Sequence, residues 1–86
     1  MNIYIMFATN TRARVFADTL KEKDVECKIV QTPSSIAHGS CSYCVLVHKN
    51  DVECITNIMQ SGQTNILGIY EKSHDEAGNS KFMKIN

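Results

Sequence analysis

The order of hydrophobic patterns along this 86-residue chain predicts an α+β fold of the ferredoxin-like βαββαβ type. Two helices would lie on one face of a four-stranded antiparallel sheet, with a C-terminal extra edge strand left open as an option. Three observations lead there. An unbroken apolar run opens the chain, segments of helical and of alternating period then follow in turn, and Pro, Gly, Asn and Asp residues mark the breaks.

Asn2 to Ala8 is rich in Ile, Tyr and Phe, the pattern of a central strand buried on both sides. Thr9, Asn10 and Thr11 supply capping oxygens, and Val15, Phe16 and Leu20 recur at helical spacing up to about Lys23. Lys23-Asp24 breaks the helix. Val25, Cys27 and Ile29 then alternate with Glu26 and Lys28, which predicts a half-buried strand ending near Thr32. Pro33 cannot continue a central ladder, so residues 33–40 read as a loop. A third strand is expected over Tyr43 to His48. Asn50 or Asp51 would cap a second helix with Val52, Ile55, Ile58 and Met59 as its apolar stripe and Gly62 at its end. Asn65 to Glu71 makes a fourth strand from Ile66, Leu67, Ile69 and Tyr70. One domain thus spans residues 1–72. Residues 73–86 form a polar turn followed by Lys81 to Ile85, a short edge strand or a frayed tail.

Composition removes several classes of function. Nine Lys and Arg balance nine Asp and Glu, so the formal charge is zero and no basic excess points to nucleic acid. The opening apolar run has no basic residue before it and is too short for a signal sequence or a membrane span, which predicts a cytoplasmic chain. In a reducing compartment four cysteines are expected as thiols, ligands or reactive groups rather than as structural disulfides.

Two of them, Cys41 and Cys44, form a C-x-x-C pair in "GSCSYCVLV". Such a pair can close a reversible disulfide or move a sulfur-bound group from an attacking to a resolving thiol. The predicted topology brings both toward the N-terminus of the first helix, where free amides and Arg12 and Arg14 would favour a thiolate. Cys41 sits among small polar loop residues. Cys44 opens an apolar strand and reads equally well as a buried small hydrophobe. Cys27 fits the core by its alternation, and Cys54 falls on the flank of the second helix.

His38, Cys41, Cys44 and His48 also make the pattern H-x2-C-x2-C-x3-H. If residues 44–48 are extended, their ends stand roughly 13 Å apart, whereas donors to one tetrahedral zinc lie within about 4 Å of one another. No metal site is therefore expected; His38 is left as a base or orienting group for a thiol. Copper chaperones of the same fold place M-x-C-x-x-C between the first strand and helix. This chain has Ala8-Thr9-Asn10-Thr11 there, without cysteine.

The opening strand, the stretch "FATNTRARVFADTLKEKDVECKIVQTP", the proline-led loop "PSSIAHGSC" and the strand after it resemble the small selenium/sulfur carrier-like proteins, from Tyr4 to about Tyr70. In that family a loop ends in a cysteine beside glycine, and Cys41 falls at that cysteine. Ser42 stands where a glycine is usual, and Cys44 is an addition to the pattern. The resemblance implies a carrier that holds sulfur or selenium as a persulfide or selenosulfide on Cys41, with no cofactor beyond the carried atom; the added Cys44 makes a dithiol, in which it would release the cargo as resolving thiol or close a protective disulfide. Thr9, Asn10, Thr11 and Arg12 at the helix start, with His38, Gly39 and Ser40 in the loop, would surround it. Donor and acceptor enzymes would be its partners, since no nucleotide loop or carboxylate pair supplies catalysis. Two alternatives are a thiol-disulfide protein or sensor using the same pair, and a regulatory or scaffolding module that self-associates through its open sheet face.

Overall fold

The computed structural model describes residues 2–37, 42–61 and 66–85, without the side chains of Ser35 and of residues 58–61. Strand β1 (Ile3–Phe7) is buried along its whole length. It is followed by helix α1 (Asn10–Glu22), strand β2 (Cys27–Gln31), a one-turn helix α2 (Ser34–Ala37), strand β3 (Tyr43–Val47), helix α3 (Val52–Ser61), strand β4 (Ile66–His74) and strand β5 (Ser80–Lys84). The strands form one antiparallel sheet in the order β2-β3-β1-β4-β5. The fold is α+β as expected. The sheet has five strands, the four expected and the optional C-terminal edge strand, and α2 adds an element that a plain βαββαβ chain lacks.

Local chemistry explains the elements. Thr9 caps α1, its hydroxyl accepting from the Arg12 N–H at 3.2 Å. The buried stripe of α1 is Ala13, Phe16, Ala17 and Leu20. Val15, expected in that stripe, is 62% exposed, because the small residues Ala13 and Ala17 let the helix lie close to the sheet on an adjacent face. At the other end, Val25 N–H bonds Leu20 C=O at 2.9 Å and Asp24 N–H bonds Lys21 C=O at 3.1 Å. That is a Schellman motif, with Asp24 at φ 59° in the place glycine usually takes.

The loop expected over residues 33–40 contains α2, in which the Pro33 carbonyl accepts from Ile36 and Ala37. Proline suits a helix start, where no N–H is needed, and burial of Ile36 holds the turn down. Asn50 and Asp51 precede α3 directly. Both lie within a 3-10 turn (Lys49–Asp51) that leads into α3, its Asp51 N–H bonded to the His48 carbonyl at 3.0 Å. In α3, Ile55 is buried and Val52 packs beside it; the end expected at Gly62 lies outside the described residues. Leu67, expected inside β4, is 51% exposed. The register jumps from Met6↔Gly68 to Phe7↔Ile66, so Leu67 is the extra residue of a bulge and points to solvent. The segment from residue 81 is a strand, paired with β4 from Tyr70↔Lys84 to His74↔Ser80.

Side chains alternate across the sheet to make two cores. Ile3, Ile5, Phe7, Val45, Val47 and Ile69 meet α1 and α3 on one face. Tyr4, Met6 and Cys44 lie on the other with Ile36 of α2 over them, flanked by Val30, Leu46, Tyr70 and Phe82. Lys49 on the 3-10 turn reaches Glu71 of β4 at 3.0 Å, a pair with an exposed lysine and a half-buried carboxylate, worth about 1 kcal/mol.

Two predictions arise from the turns. Asp24→Gly should stabilise the protein by about 1 kcal/mol or less, since glycine adopts positive φ without strain and the change removes a negative charge from a helix C-terminus. A urea midpoint that falls instead would show Asp24 making a compensating contact. The β4–β5 turn depends on the Asp75 carboxylate, which accepts from the N–H groups of Asn79 at 2.9 Å and Ala77 at 3.0 Å. These bonds, chiefly that from Asn79, hold its carboxyl below the ordinary range. Its contribution is therefore complete above the unfolded-state value and lost as pH falls through the folded one. Protection factors of the residue 80–84 amides, taken relative to the unfolded-chain rate at each pH, should fall on acidification in that window, and should be low at all pH values in Asp75→Ala.

Candidate functional site

One end of the sheet gathers the candidate residues. Phe7 ends β1 and pairs with Tyr43, the first residue of β3, while Gln31 at the end of β2 pairs with Tyr43 from the other side. The start of α1 follows Phe7 after Ala8 and Thr9, so Thr9, Asn10, Thr11 and Arg12 stand exposed at this end. Thr9 is occupied with the helix cap. His38, Gly39, Ser40 and Cys41 lie outside the described residues. Ser42, the next residue after Cys41, is the first described position on the far side.

Ser42 is only 2% exposed and Thr32 only 7%, the two polar residues buried among those described. Thr32 extends the β2–β3 ladder by one bond, its N–H donating to the Ser42 carbonyl at 3.1 Å. The Ser42 hydroxyl donates to the Thr32 oxygen at 2.8 Å, and that oxygen lies 3.3 Å from the Cys44 sulfur. A buried hydroxyl without a partner costs about 1–3 kcal/mol, which is why the three groups are bonded in a row. Sequence reading missed Thr32 and Ser42. Their signal was positional: a threonine just before the loop proline, and a serine at the first place inside the C-x-x-C pair.

Cys44 does not sit toward helix α1 as expected. It pairs with Met6 and Val30 in register and belongs to the second core, on the face away from α1 and α3, with no exposed surface. Burial pushes its thiol above the ordinary cysteine value, and the Thr32 contact offsets this only in part. The thiol is enclosed, and its surroundings favour the protonated form. Cys27 packs against the first core and donates to the Ala17 carbonyl at 3.6 Å; desolvation raises its thiol too, against a smaller opposing effect of Lys21. Cys54 is exposed on α3. His48 faces Glu26 at 3.5 Å, at the far end of β3 from Ser42.

Among the described residues no three His, Cys, Asp or Glu side chains converge as a metal site, and no helix is long and apolar enough to cross a membrane. The described cysteines lie at different depths, Cys44 buried, Cys27 half-buried and Cys54 exposed. Thr32→Val should lower stability by about 1–3 kcal/mol, since it strands the buried Ser42 hydroxyl, whereas Thr32→Ser should stay close to wild type. Equal losses in the two variants, read from urea midpoints, would assign the effect to packing of the methyl group instead.

Among curated proteins and among solved structures, no match to this chain was found. A family model does match, over residues 2–71, which takes in β1 to β3, the first six residues of β4, the Thr32–Ser42–Cys44 row and the Cys41 position. The chain belongs to the family described as "Putative Se/S carrier protein-like".

Proposed function

We propose that the protein carries sulfur or selenium as a persulfide or selenosulfide on Cys41, receiving it from a donor enzyme and passing it to an acceptor. Membership of the Se/S carrier protein-like family over residues 2–71 is the observation that carries this reading. The depth of the described cysteines supports it from another side. Cys44 is enclosed and Cys27 half-buried, both thiols raised, so neither suits rapid exchange. Cys54 is exposed on α3. Cys41 precedes Ser42, whose backbone and hydroxyl are both anchored to Thr32.

In the proposed transfer the Cys41 thiolate attacks the outer sulfur of a donor persulfide. A sulfur–sulfur bond forms to Cys41, the donor's own bond breaks, and its electron pair leaves with the donor thiolate. The moving atom keeps its oxidation level, so no external oxidant enters. An acceptor thiolate repeats the exchange to take the cargo away. The selenium version replaces the outer sulfur and is otherwise balanced in the same way.

Cys44 as resolving thiol would have to leave the second core and lose its proton first. Its burial supports release to a thiol of the acceptor, with Cys44 as a structural partner of Thr32. The same enclosure counts against an easily cycled Cys41–Cys44 disulfide.

Intact-mass measurement after incubation with a cysteine desulfurase and cysteine, or with a selenocysteine-processing enzyme and selenocysteine, tests the proposal. Wild type and Cys44→Ala should each gain sulfur or selenium, and Cys41→Ser should gain none. An adduct that persists in Cys41→Ser would overturn the assignment. Release to added thiol at the wild-type rate from Cys44→Ala is expected; a stalled adduct would make Cys44 the resolving group.

A further inference from the structure

The face of the sheet away from α1 and α3 concentrates basic and aromatic side chains that the neutral composition conceals. Strand registers align Lys28, Leu46, Tyr4, Tyr70 and Lys84 in one row across all five strands. The neighbouring pair Lys72↔Phe82 lies on the same face, with Phe82 edge-on to Tyr4 at 5.2 Å between ring centroids. The strand positions of this face include three lysines and no carboxylate. Glu26, one residue before β2, is the nearest acid by register and is turned to His48. A surface with one sign of charge attracts the opposite sign locally even when the molecule is neutral overall.

Tyr70 has a further property. A Cβ placed on Gly68 would come within 3.0 Å of Tyr70 Cε1 and 3.4 Å of its hydroxyl oxygen. The phenol ring therefore leans along the sheet over Gly68 rather than standing away from it, and it remains only partly buried. A ring laid along a sheet with lysines on both flanks suits a planar group joined to anionic linkers. Four interstrand steps of about 4.8 Å set Lys28 and Lys84 roughly 19 Å apart, with Tyr70 between them.

We propose that this face binds single-stranded nucleic acid, a base stacking on Tyr70 while Lys28, Lys72 and Lys84 meet the phosphates. Aromatic groups on a sheet flanked by basic ones recognise single strands in this manner, because every base presents a flat face and every linker a charge. A duplex hides its base faces and is not the expected ligand. The second core under α2 adjoins this surface, so Cys44 and Ser42 share the face with it. Strand registers and side-chain identity place these groups whether or not Cys41 loads a chalcogen.

Fluorescence anisotropy with labelled single-stranded RNA and DNA of about eight nucleotides, at low salt, is the test, with duplex DNA and poly-glutamate as comparators. Binding to the single strands should exceed that to either comparator. Tyr70→Leu should weaken it by about tenfold, and Tyr70→Phe should retain it. Gly68→Ala, which displaces the ring, should also weaken it. Each of Lys28→Ala, Lys72→Ala and Lys84→Ala should reduce the slope of log affinity against log salt by about 0.7. Circular dichroism controls for folding, and amide shifts in a titration should map to the lysine and tyrosine rows. No saturable binding, or equal affinity for poly-glutamate with Tyr70→Leu unchanged, would overturn the proposal. So would a concentration-dependent dimer that buries this face and excludes the oligonucleotide.

Discussion

Burial of β1 on both sides organises the molecule. It lies between β3 and β4, and its five side chains are all withdrawn from water. Ile3, Ile5 and Phe7 enter the core under the two long helices, while Tyr4 and Met6 enter the core on the opposite face. A slip of one residue would exchange these sets and drive Tyr4 into the helix side. Register is thereby set for β3 and, through it, for β2. The side on which Cys44 lies follows from this single pairing.

The consequence at the candidate site is a separation of thiols by depth rather than by sequence distance. Cys44 opposes Met6 and is closed in by α2, and the Thr32–Ser42 pair ties the start of β3 to the end of β2 beside it. A hydroxyl in that position is stable only when bonded, so the corner holds a definite geometry. Membership of the Se/S carrier protein-like family then directs attention to Cys41, adjacent to this corner in the chain.

The helix-side and opposite faces of the sheet are chemically unlike. On the helix side, Glu71 meets Lys49 and the apolar residues are covered. On the other, aromatic and apolar centres remain partly open and lysines edge them. Alternation in a strand sends neighbours to opposite faces, so zero net charge for the chain allows one face to be basic.

The chain's own pattern determined the main elements. The unbroken run of β1, the alternation of β2, the Thr9 cap and the Lys23-Asp24 break were all legible, because each depends on nearest neighbours along the chain. Tertiary structure decided the rest. The one turn of α2 is too short for periodicity to register, and its stability comes from Ile36 reaching the second core. Leu67 looked like a strand residue until pairing with β1 left it in a bulge. Val15 looked buried until Ala13 and Ala17 set the contact face of α1. For Cys44 the sequence left two readings open, a resolving thiol or a buried small hydrophobe. Pairing with Met6 put Cys44 inside, because side-chain direction in a sheet is decided by the partner strand as well as by the local sequence.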